Sequence, residues 1–410
     1  MAAESGFGFL AYYLGISGAF LLAPVLGALA DTSGQRMRFI WLFSLMYVLG
    51  SAALWFAAPG DFNLVLILLA FAIGLIGMEF ATIFTNSMLP DLGSPQEIGR
   101  ISGNGWAFGY CGGLVALVLM LAFFAESAET GRTMLGLAPP FGLDGEAREG
   151  TRFVGPLTAL WYVVFMIPFF AWVRDPKPTA RHPGALRRAL HDLGRTLRRL
   201  PQTPSLFAYL ASSMFYRDAL NGMYVFGGIY AAGVLGWSVV DVGIFGILAI
   251  ISGALFAWLG GKWDERFGPR PVITAAILAL TCAAVSTVLV SRQSIYGVAL
   301  AEGSALPDIA FYVIGAVIGA AGGVIQSASR TMMVRQANPA RMTEAFGLYA
   351  LAGKATSFLA PLLIGVTTQI TGSQQLGVTP LIGLFLIGLL LLRWVKPEGD
   401  RAAWSDIRSA

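Results

Sequence analysis

Charged side chains are scarce in this sequence of 410 residues, since Asp, Glu, Lys and Arg together make up 12% of it. Soluble globular domains carry about 25% charged residues. So few charges could not cover a water-facing surface around several packed domains, and apolar residues account for 56% of the chain. The composition therefore excludes an ordinary soluble protein and predicts that lipid is the solvent for most of the surface.

Cysteine and histidine are scarcer still, with two of each. Cys111 and Cys282 both lie inside apolar runs, so we expect no disulfide framework. His182 and His191 share one polar stretch, which excludes a histidine relay within the membrane. Because the sequence also lacks a metal-ligand cluster, a phosphate loop and a nucleophile–base pair within an apolar run, we expect no metal, no cofactor, no nucleic-acid partner and no enzymatic activity.

The sequence is rich instead in apolar runs of about 20 residues, the length that crosses a bilayer core of about 30 Å. The predicted spans are 8–30, 39–58, 63–89, 103–125, 153–173, 205–233, 239–260, 271–291, 308–333, 343–370 and 377–394. The longest polar interruption, 174–204, divides these eleven into five and six. The prediction is an all-α membrane protein with a first bundle at 1–173, a linker at 174–204, a second bundle at 205–394 and a tail at 395–410.

Most basic residues fall on one side of this topology. They are Arg36, Arg38, Arg100, the linker cluster from Arg174 to Arg199, Lys262, Arg266, Arg270, Arg335, Arg341, Arg393, Lys396, Arg401 and Arg408. The opposite side holds Arg132, Arg148, Arg152 and Arg292. Because cytoplasmic loops are enriched in Lys and Arg, the basic side is predicted to be cytoplasmic. Eleven spans then place the C-terminus inside and the N-terminus outside, in a bacterial-type inner membrane.

The linker contains its own pattern. Leucines recur at three- and four-residue spacing, with arginines between them, at Leu186, Leu190, Leu193, Leu197 and Leu200. This pattern predicts a basic amphipathic helix over 184–200 that lies on the anionic cytoplasmic leaflet. An ordinary solvated linker helix is the alternative, and in either case the segment joins two halves.

Two cytoplasmic turns repeat one arrangement of glycine, acid, glycine and arginine. The residues are Gly27, Asp31, Gly34 and Arg36 in the first copy and Gly261, Glu265, Arg266, Gly268 and Arg270 in the second. A tight turn needs glycine, while the acid and the arginine can pair with each other or with helix ends. Two copies at matching places in two halves predict an internal repeat, and we expect these residues to act in gating.

The paired turns resemble the cytoplasmic loop motif of the major facilitator superfamily, found after the second and the eighth helix. Further runs look like one branch of it, the vacuolar amino-acid effluxer-like permeases and their bacterial relatives, called the unknown major facilitator family. These runs are 77–91, 99–113, 216–221, 322–330 and 347–361. The resemblance implies a major-facilitator fold of two pseudo-symmetric helical bundles that rock about a midplane site. It also implies a secondary transporter of small solutes, amino acids first.

The sequence departs from the family pattern at several points. Arg217 stands where the family usually has asparagine, Ala219 where it has glycine, and Thr85 where it has tyrosine. The first copy of the loop motif maps 8–30 onto the second helix, and the aromatic-Asp-Trp-Ala-Asn-Ser run of the family's first helix is missing. We therefore expect the first helix to be absent, either because the start is misassigned or truncated or because this is a true eleven-helix form. Because half the pseudo-symmetry at the binding site would then be lost, a transport-inactive membrane sensor or scaffold is the alternative function.

Polar residues inside the predicted spans are the candidates for binding the substrate or a coupling ion. A charge at the bilayer centre costs about 2.5–3.5 kcal/mol on insertion scales, so it usually faces a cavity or a partner. The candidates are Glu79, Asn86, Tyr216, Arg217, Asp218, Asn221, Gln326, Arg330 and Lys354. Carboxylates among them make proton coupling feasible but do not require it. We expect the protein to be a monomer in the lipid bilayer.

The candidates leave alternatives open. Glu79 and Lys354 are the deepest, and their opposite charges could neutralise each other or bind the two ends of a zwitterion. Arg217 and Asp218 could bind substrate or hold their helix to a neighbour. Arg330 lies near the cytoplasmic end of its span, which favours gating or structural pairing.

Overall fold

The chain is built mainly of α-helices in a computed structural model that describes residues 20–60, 62–127, 129–175 and 185–400. The α-helices are α1 (Leu22–Ser33), α2 (Arg36–Ala53), α3 (Leu64–Ser87), α4 (Ile98–Leu119), α5 (Glu149–Arg152), α6 (Val154–Trp172), α7 (Ala185–Arg199), α8 (Pro204–Leu235), α9 (Val239–Phe267), α10 (Pro269–Leu289), α11 (Leu306–Gln336), α12 (Met342–Ala355), α13 (Leu359–Thr371), α14 (Gln374–Gly377) and α15 (Thr379–Leu391). Short 3₁₀ turns cover Leu54–Phe56, Leu89–Leu92, Pro140–Gly142, Leu200–Gln202, Pro339–Arg341 and Leu392–Trp394, and a π turn covers Met120–Phe124. One antiparallel hairpin, β1 (Ser294–Ile295) and β2 (Val298–Ala299), pairs Ser294 with Ala299.

Nine helical stretches of the described residues are long and apolar enough to cross a membrane. They are Arg36–Phe56, Leu64–Ser87, Ile98–Phe124, Glu149–Trp172, Val240–Phe267, Pro269–Leu289, Leu306–Gln336, Pro339–Thr371 and Gln374–Trp394. Each overlaps a predicted span. The predicted span 205–233 is also a helix, α8, but serines, tyrosines and two charges make it less apolar. Since 8–30 lies mostly outside the described residues, the count of eleven stays a prediction.

The chain forms two compact units. The first consists of Met1–Ser87 and Gly112–Leu193, and the second of Met88–Cys111 and Gly194–Ala410. The first part of α4 therefore packs with the second unit, although the sequence assigns it to the bundle 1–173. The predicted limits of bundles, linker and tail otherwise stay predictions.

In the first unit, α2 and α3 pack backbone against backbone. A Cβ at Gly50 of α2 would lie 2.6 Å from the carbonyl oxygen of Ala70, and one at Gly77 of α3 would lie 2.7 Å from that of Phe43. No side chain fits at either position. Small residues of this kind let membrane helices approach closely, and here they fix the α2–α3 contact.

The loop between α4 and α6 is held by one buried acid. Glu126 is 3% exposed, and its carboxylate accepts hydrogen bonds from the amide (2.9 Å) and the hydroxyl (3.0 Å) of Thr151. Arg148 Nε lies 3.2 Å from the same carboxylate. A buried charge that is paired and hydrogen-bonded in this way ties the loop to α5.

The predicted span 343–370 lies within the stretch Pro339–Thr371, but it consists of two helices and not of one. Helix α12 ends at Ala355 and α13 begins at Leu359. Pro361 explains the break, because proline has no N–H to donate and its ring clashes with the carbonyl four residues earlier, that of Ser357. The break creates two half-helix ends inside the span.

Candidate functional site

The first copy of the loop motif joins α1 to α2. Gly34 ends α1 with φ +63°, a left-handed conformation that favours glycine. Arg36 Nε lies 3.8 Å from the Asp31 carboxylate, and its Nη1 donates to the carbonyl of Ser87 at 3.3 Å. The acid and the arginine therefore pair, and the arginine also binds the C-terminal end of α3.

The second copy is arranged differently. Gly268 has φ +81° between α9 and α10, as the turn requires. Glu265 lies 3.6 Å from Arg100 at the start of α4, while Arg270 Nη2 donates to the carbonyl of Arg393 at 3.1 Å. Arg266 stacks over the ring of Phe267 at 5.2 Å. Here the motif acid pairs with another helix and not with the motif arginines.

Sequence reasoning missed Asp264, the acid beside Glu265. Asp264 is 1% exposed, whereas the Glu265 side chain is 35% exposed. A Cβ at Gly99, in the first turn of α4, would lie 2.7 Å from the Asp264 Cγ. A buried carboxylate beside a helix N-terminus is electrostatically favourable. The motif spacing selected Glu265, and only the packing of α9 on α4 distinguishes the two acids.

The first turns of α4 bind α9 and α11 through very short contacts. A Cβ at Gly103 would lie 2.6 Å from the carbonyl oxygen of Ala257 and 2.6 Å from the Cα of Gly261. The Ser102 hydroxyl donates to the carbonyl of Ser327 at 2.7 Å, and both serines are buried. Sequence reasoning also missed Ser102, because a lone serine in an apolar run carries no distinctive signal.

Arg330 is fixed to the same part of α4. Its Nη2 donates to the carbonyl of Ser102 at 2.7 Å, and its Nε donates to the Ser102 hydroxyl oxygen at 3.1 Å. Its guanidinium also lies 5.3 Å from the centre of the Trp106 ring. These contacts are the kind that the gating or structural alternative for Arg330 requires.

Tyr216 is part of a buried packing network. The residue is fully buried, and its hydroxyl lies 2.8 Å from the hydroxyl of Ser329. Tyr209 donates to the carbonyl of the same serine at 2.5 Å. The network joins α8 to α11, and it leaves Tyr216 no exposed surface with which to meet a solute.

Arg217 binds α12. Its Nη1 donates to the carbonyl of Tyr349 at 3.0 Å, and its guanidinium lies 4.1 Å from the centre of the Tyr349 ring. The guanidinium also packs against Gly353, where a Cβ would lie 2.6 Å from Arg217 Cζ. Because Gly353 is in the last turn of α12, the cation lies at the end of the helix that carries partial negative charge.

Asp218 binds α13. Its carboxylate is fully buried, and Oδ2 accepts a hydrogen bond from the amide of Ala360 at 3.1 Å. Ala360 is in the first turn of α13, where backbone N–H groups lack helical partners and the helix carries partial positive charge. Asp218 Oδ1 has no hydrogen-bond partner within the described residues.

The break in the span therefore lies against two neighbouring residues of α8. Lys354 lies half-buried in the last turn of α12, and its carbonyl accepts a hydrogen bond from the hydroxyl of Ser357 at 3.0 Å. Arg217 and Asp218 thus contact the two half-helix ends, and Lys354 belongs to the last turn of α12, next to Gly353 in the chain.

The remaining candidates lie elsewhere. Glu79 and Asn86 are half-buried on α3 in the first unit. Asn221 is exposed on α8 and Gln326 is half-buried on α11. Among the described residues, no group of three or more His, Cys, Asp or Glu side chains could hold a metal ion.

The fold resembles that of solved transporters of the major facilitator superfamily. The human organic anion transporter MFSD10 (TETRAN) superposes with a TM-score of 0.64 at 18% identity, covering 94% of this chain and 83% of that one. The proton:xylose symporter XylE superposes with a TM-score of 0.71 at 11% identity, covering 98% and 91%. At such identities the likeness establishes the fold alone, and it confirms the predicted fold class.

Residues 7–403 match the family described as "Vacuole effluxer Atg22 like", and the chain belongs to this family. The "Uncharacterized MFS-type transporter YxiO" of Bacillus subtilis (strain 168) is 26% identical over 407 residues, which cover 97% of this chain and 88% of that protein. Autophagy-related protein 22 of Cryptococcus neoformans var. neoformans serotype D is 22% identical over 310 residues, or 74% of this chain and 51% of that protein. The predicted family is confirmed, and it is a family of transporters, not enzymes.

Proposed function

We propose that this protein is a secondary active transporter that moves small carboxylate-bearing solutes, amino acids first, by alternating access. The observation that carries this proposal is the broken helix α12–α13, with Arg217, Asp218 and Lys354 at its two ends. Transporters commonly bind the ionic groups of their substrates and coupling ions at half-helix ends near the bilayer midplane. The family description, a vacuole effluxer, supports solute transport as the function.

Each of the three charges has a distinct part in the proposal. Arg217 and Lys354 are both half-buried, and they bind the carboxylate of the solute. Asp218 is fully buried and holds the first turn of α13, so it positions the break without contacting the solute. Glu79, Asn86, Asn221 and Gln326 remain candidates for further substrate or ion contacts.

The contact between the start of α4 and helices α9 and α11 is the proposed cytoplasmic gate. Alternating access needs a contact that forms in one state and breaks in another. The pairs Gly103–Gly261 and Ser102–Ser327 are close and specific, so they can report on opening. The second loop motif reaches this contact through the Glu265–Arg100 pair and would set how readily it opens.

The distribution of basic residues supports a proposal for the orientation of the protein in its membrane. Arginine and lysine cluster in the loops assigned to one side, so we propose that this side, with the C-terminus, faces the cytoplasm of a bacterial-type inner membrane. Tryptic cleavage of sealed, inside-out vesicles tests the orientation. Cleavage in the linker, and protection of Arg132 in the loop after α4, is the expected result.

Solute flux tests the function. The purified protein is reconstituted in liposomes, and counterflow of the amino acids, a sugar panel and an organic-anion panel is measured with and without a proton gradient. We expect a subset of amino acids to exchange. Arg217→Gln removes a charged donor, which is worth about 1.5–3 kcal/mol, so half-saturation should rise roughly tenfold to 150-fold.

Arg132→Gln is the matched control, because Arg132 is an exposed arginine whose Nη1 binds only the nearby carbonyl of Gly136. The control should transport like the unsubstituted protein. Flux no higher than in protein-free liposomes would overturn the transporter proposal and favour a membrane sensor or scaffold. Unchanged half-saturation in Arg217→Gln would overturn the assigned site.

A further inference from the structure

Helix α7, in the linker, has a buried face and an exposed apolar stripe side by side. Ala189 is fully buried and Leu193 is 8% exposed, and their four-residue spacing places both on one face. Leu186, Leu190 and Leu197 are 54%, 48% and 48% exposed, and their spacing of four and seven residues places them on a neighbouring stripe. The helix therefore presents three leucines that the described part of the chain does not cover.

Two arginines border this stripe on the side away from the buried face. Arg187 and Arg198 directly follow two of the exposed leucines in the sequence, and both side chains are exposed. They are eleven residues apart, so the helical period brings them to one face. Along α7 an apolar stripe is thus flanked by a basic one over a length of about 22 Å.

The position of α7 in the chain places it next to the predicted span 205–233. The helix ends at Arg199 and α8 begins at Pro204, five residues later. Five extended residues reach at most about 18 Å, so the C-terminal end of α7 lies within that distance of the start of α8. A helix so close to the bilayer, with exposed leucines beside arginines, matches a surface that is apolar below and negatively charged above.

We propose that α7 is a binding site for anionic phospholipids of the leaflet on which it lies. Leu186, Leu190 and Leu197 insert at the boundary of headgroups and acyl chains. Arg187 and Arg198 bind the phosphate groups and the net negative charge of the headgroups. This inference does not depend on the proposed transport function, because the site is defined by the described surface of α7.

Depth measurements test the location. A nitroxide label is attached at Leu190→Cys, and separately at His191→Cys, in the full-length protein with Cys111→Ser and Cys282→Ser, reconstituted in liposomes. Position 190 should collide more with oxygen than with a water-soluble nickel chelate, and position 191, about 100° around the helix, should show the reverse. Greater collision with nickel at both positions would overturn the proposal, since α7 would then face water.

Lipid titration tests the chemistry. The detergent-solubilised protein is titrated with phosphatidylglycerol or phosphatidylcholine, and bound lipid is counted by native mass spectrometry. Replacing both arginines by glutamine should weaken phosphatidylglycerol binding about 30-fold and leave phosphatidylcholine unchanged. Arg187→Lys with Arg198→Lys keeps both charges and should retain the preference. If the double glutamine variant prefers phosphatidylglycerol over phosphatidylcholine as strongly as the unsubstituted protein does, the assigned headgroup contacts are wrong, whatever the flux measurements show.

Discussion

Gly103→Ala adds one methyl group at the tightest contact between α4 and α9. The new Cβ would lie 2.6 Å from both the carbonyl oxygen of Ala257 and the Cα of Gly261. Ordinary van der Waals contact needs about 3.5–4.0 Å. Because both opposing atoms are backbone, no side-chain rotation can relieve the overlap, and the two helices must separate by about an ångström.

The overlap sets the magnitude. Overpacking of a close contact typically costs about 1–3 kcal/mol. Alanine also has a higher helical propensity than glycine, but residue 103 is helical in the closed and the opened arrangement, so this gain cancels between them. The closed arrangement should therefore lose about 1–3 kcal/mol, which shifts its population against an opened one by roughly 5-fold to 150-fold.

Gly109→Ala is the matched control on the same helix, because a Cβ at Gly109 would meet nothing within 4 Å. It gains the same helical propensity without the overlap. Spin labels at Arg100 and Lys262, two exposed positions on neighbouring turns of α4 and α9, report the separation by dipolar broadening of continuous-wave spectra, which suits labels this close. We expect a longer distance and a lower apparent melting temperature only for Gly103→Ala. Identical distance distributions in the two variants would refute the reasoning.

Two further predictions concern side chains outside the spans. Glu126→Gln leaves an amide where the carboxylate accepts two hydrogen bonds from Thr151, so the loop should lose about 1–3 kcal/mol of local stability. Trypsin should therefore cleave the loop faster in this variant. The control Glu129→Gln changes an exposed side chain and should leave the rate of cleavage unchanged. Hydrogen bonds from the Ser94 hydroxyl and amide hold the pKa of Glu97 below its usual value. The ionised Glu97 therefore contributes to the stability of the folded protein above the ordinary pKa, and this contribution is lost as the pH falls through the lowered pKa. Ser94→Ala should raise that pKa, and a carboxyl carbon-13 titration that shows no rise would contradict this.

The helical spans and the linker helix could be predicted from composition and periodicity. Helix α7 covers Ala185–Arg199 against a predicted 184–200, because leucine spacing reports a helix directly. The break at 356–358 was missed, although its signal, Pro361, was available. An apolar run of that length predicts a crossing, and only the proline four residues after Ser357 indicates that the helix cannot continue through it.

Glycines on α4 illustrate what a sequence pattern cannot settle. The run from Gly103 to Gly113 predicts close packing along the side that holds Gly105, Gly109, Gly112 and Gly113, yet a Cβ at Gly109 or Gly113 would meet nothing within 4 Å. The short contacts lie at the start of the run, at Gly103, and one turn before it, at Gly99. Glycine spacing shows that a helix can be approached closely, but the partner's own glycine, here Gly261, decides where.

The charges at the break are arranged by helix electrostatics, not as a pair. Arg217 and Asp218 are adjacent, so a helix directs their side chains about 100° apart. Arg217 meets the last turn of α12, where partial negative charge accumulates, and Asp218 meets the first turn of α13, where N–H groups are unsatisfied. One dipeptide of α8 thus stabilises both ends of a helix that Pro361 interrupts. This order of charges is required by the polarity of the half-helices, and reversing it would place each charge against the end that repels it.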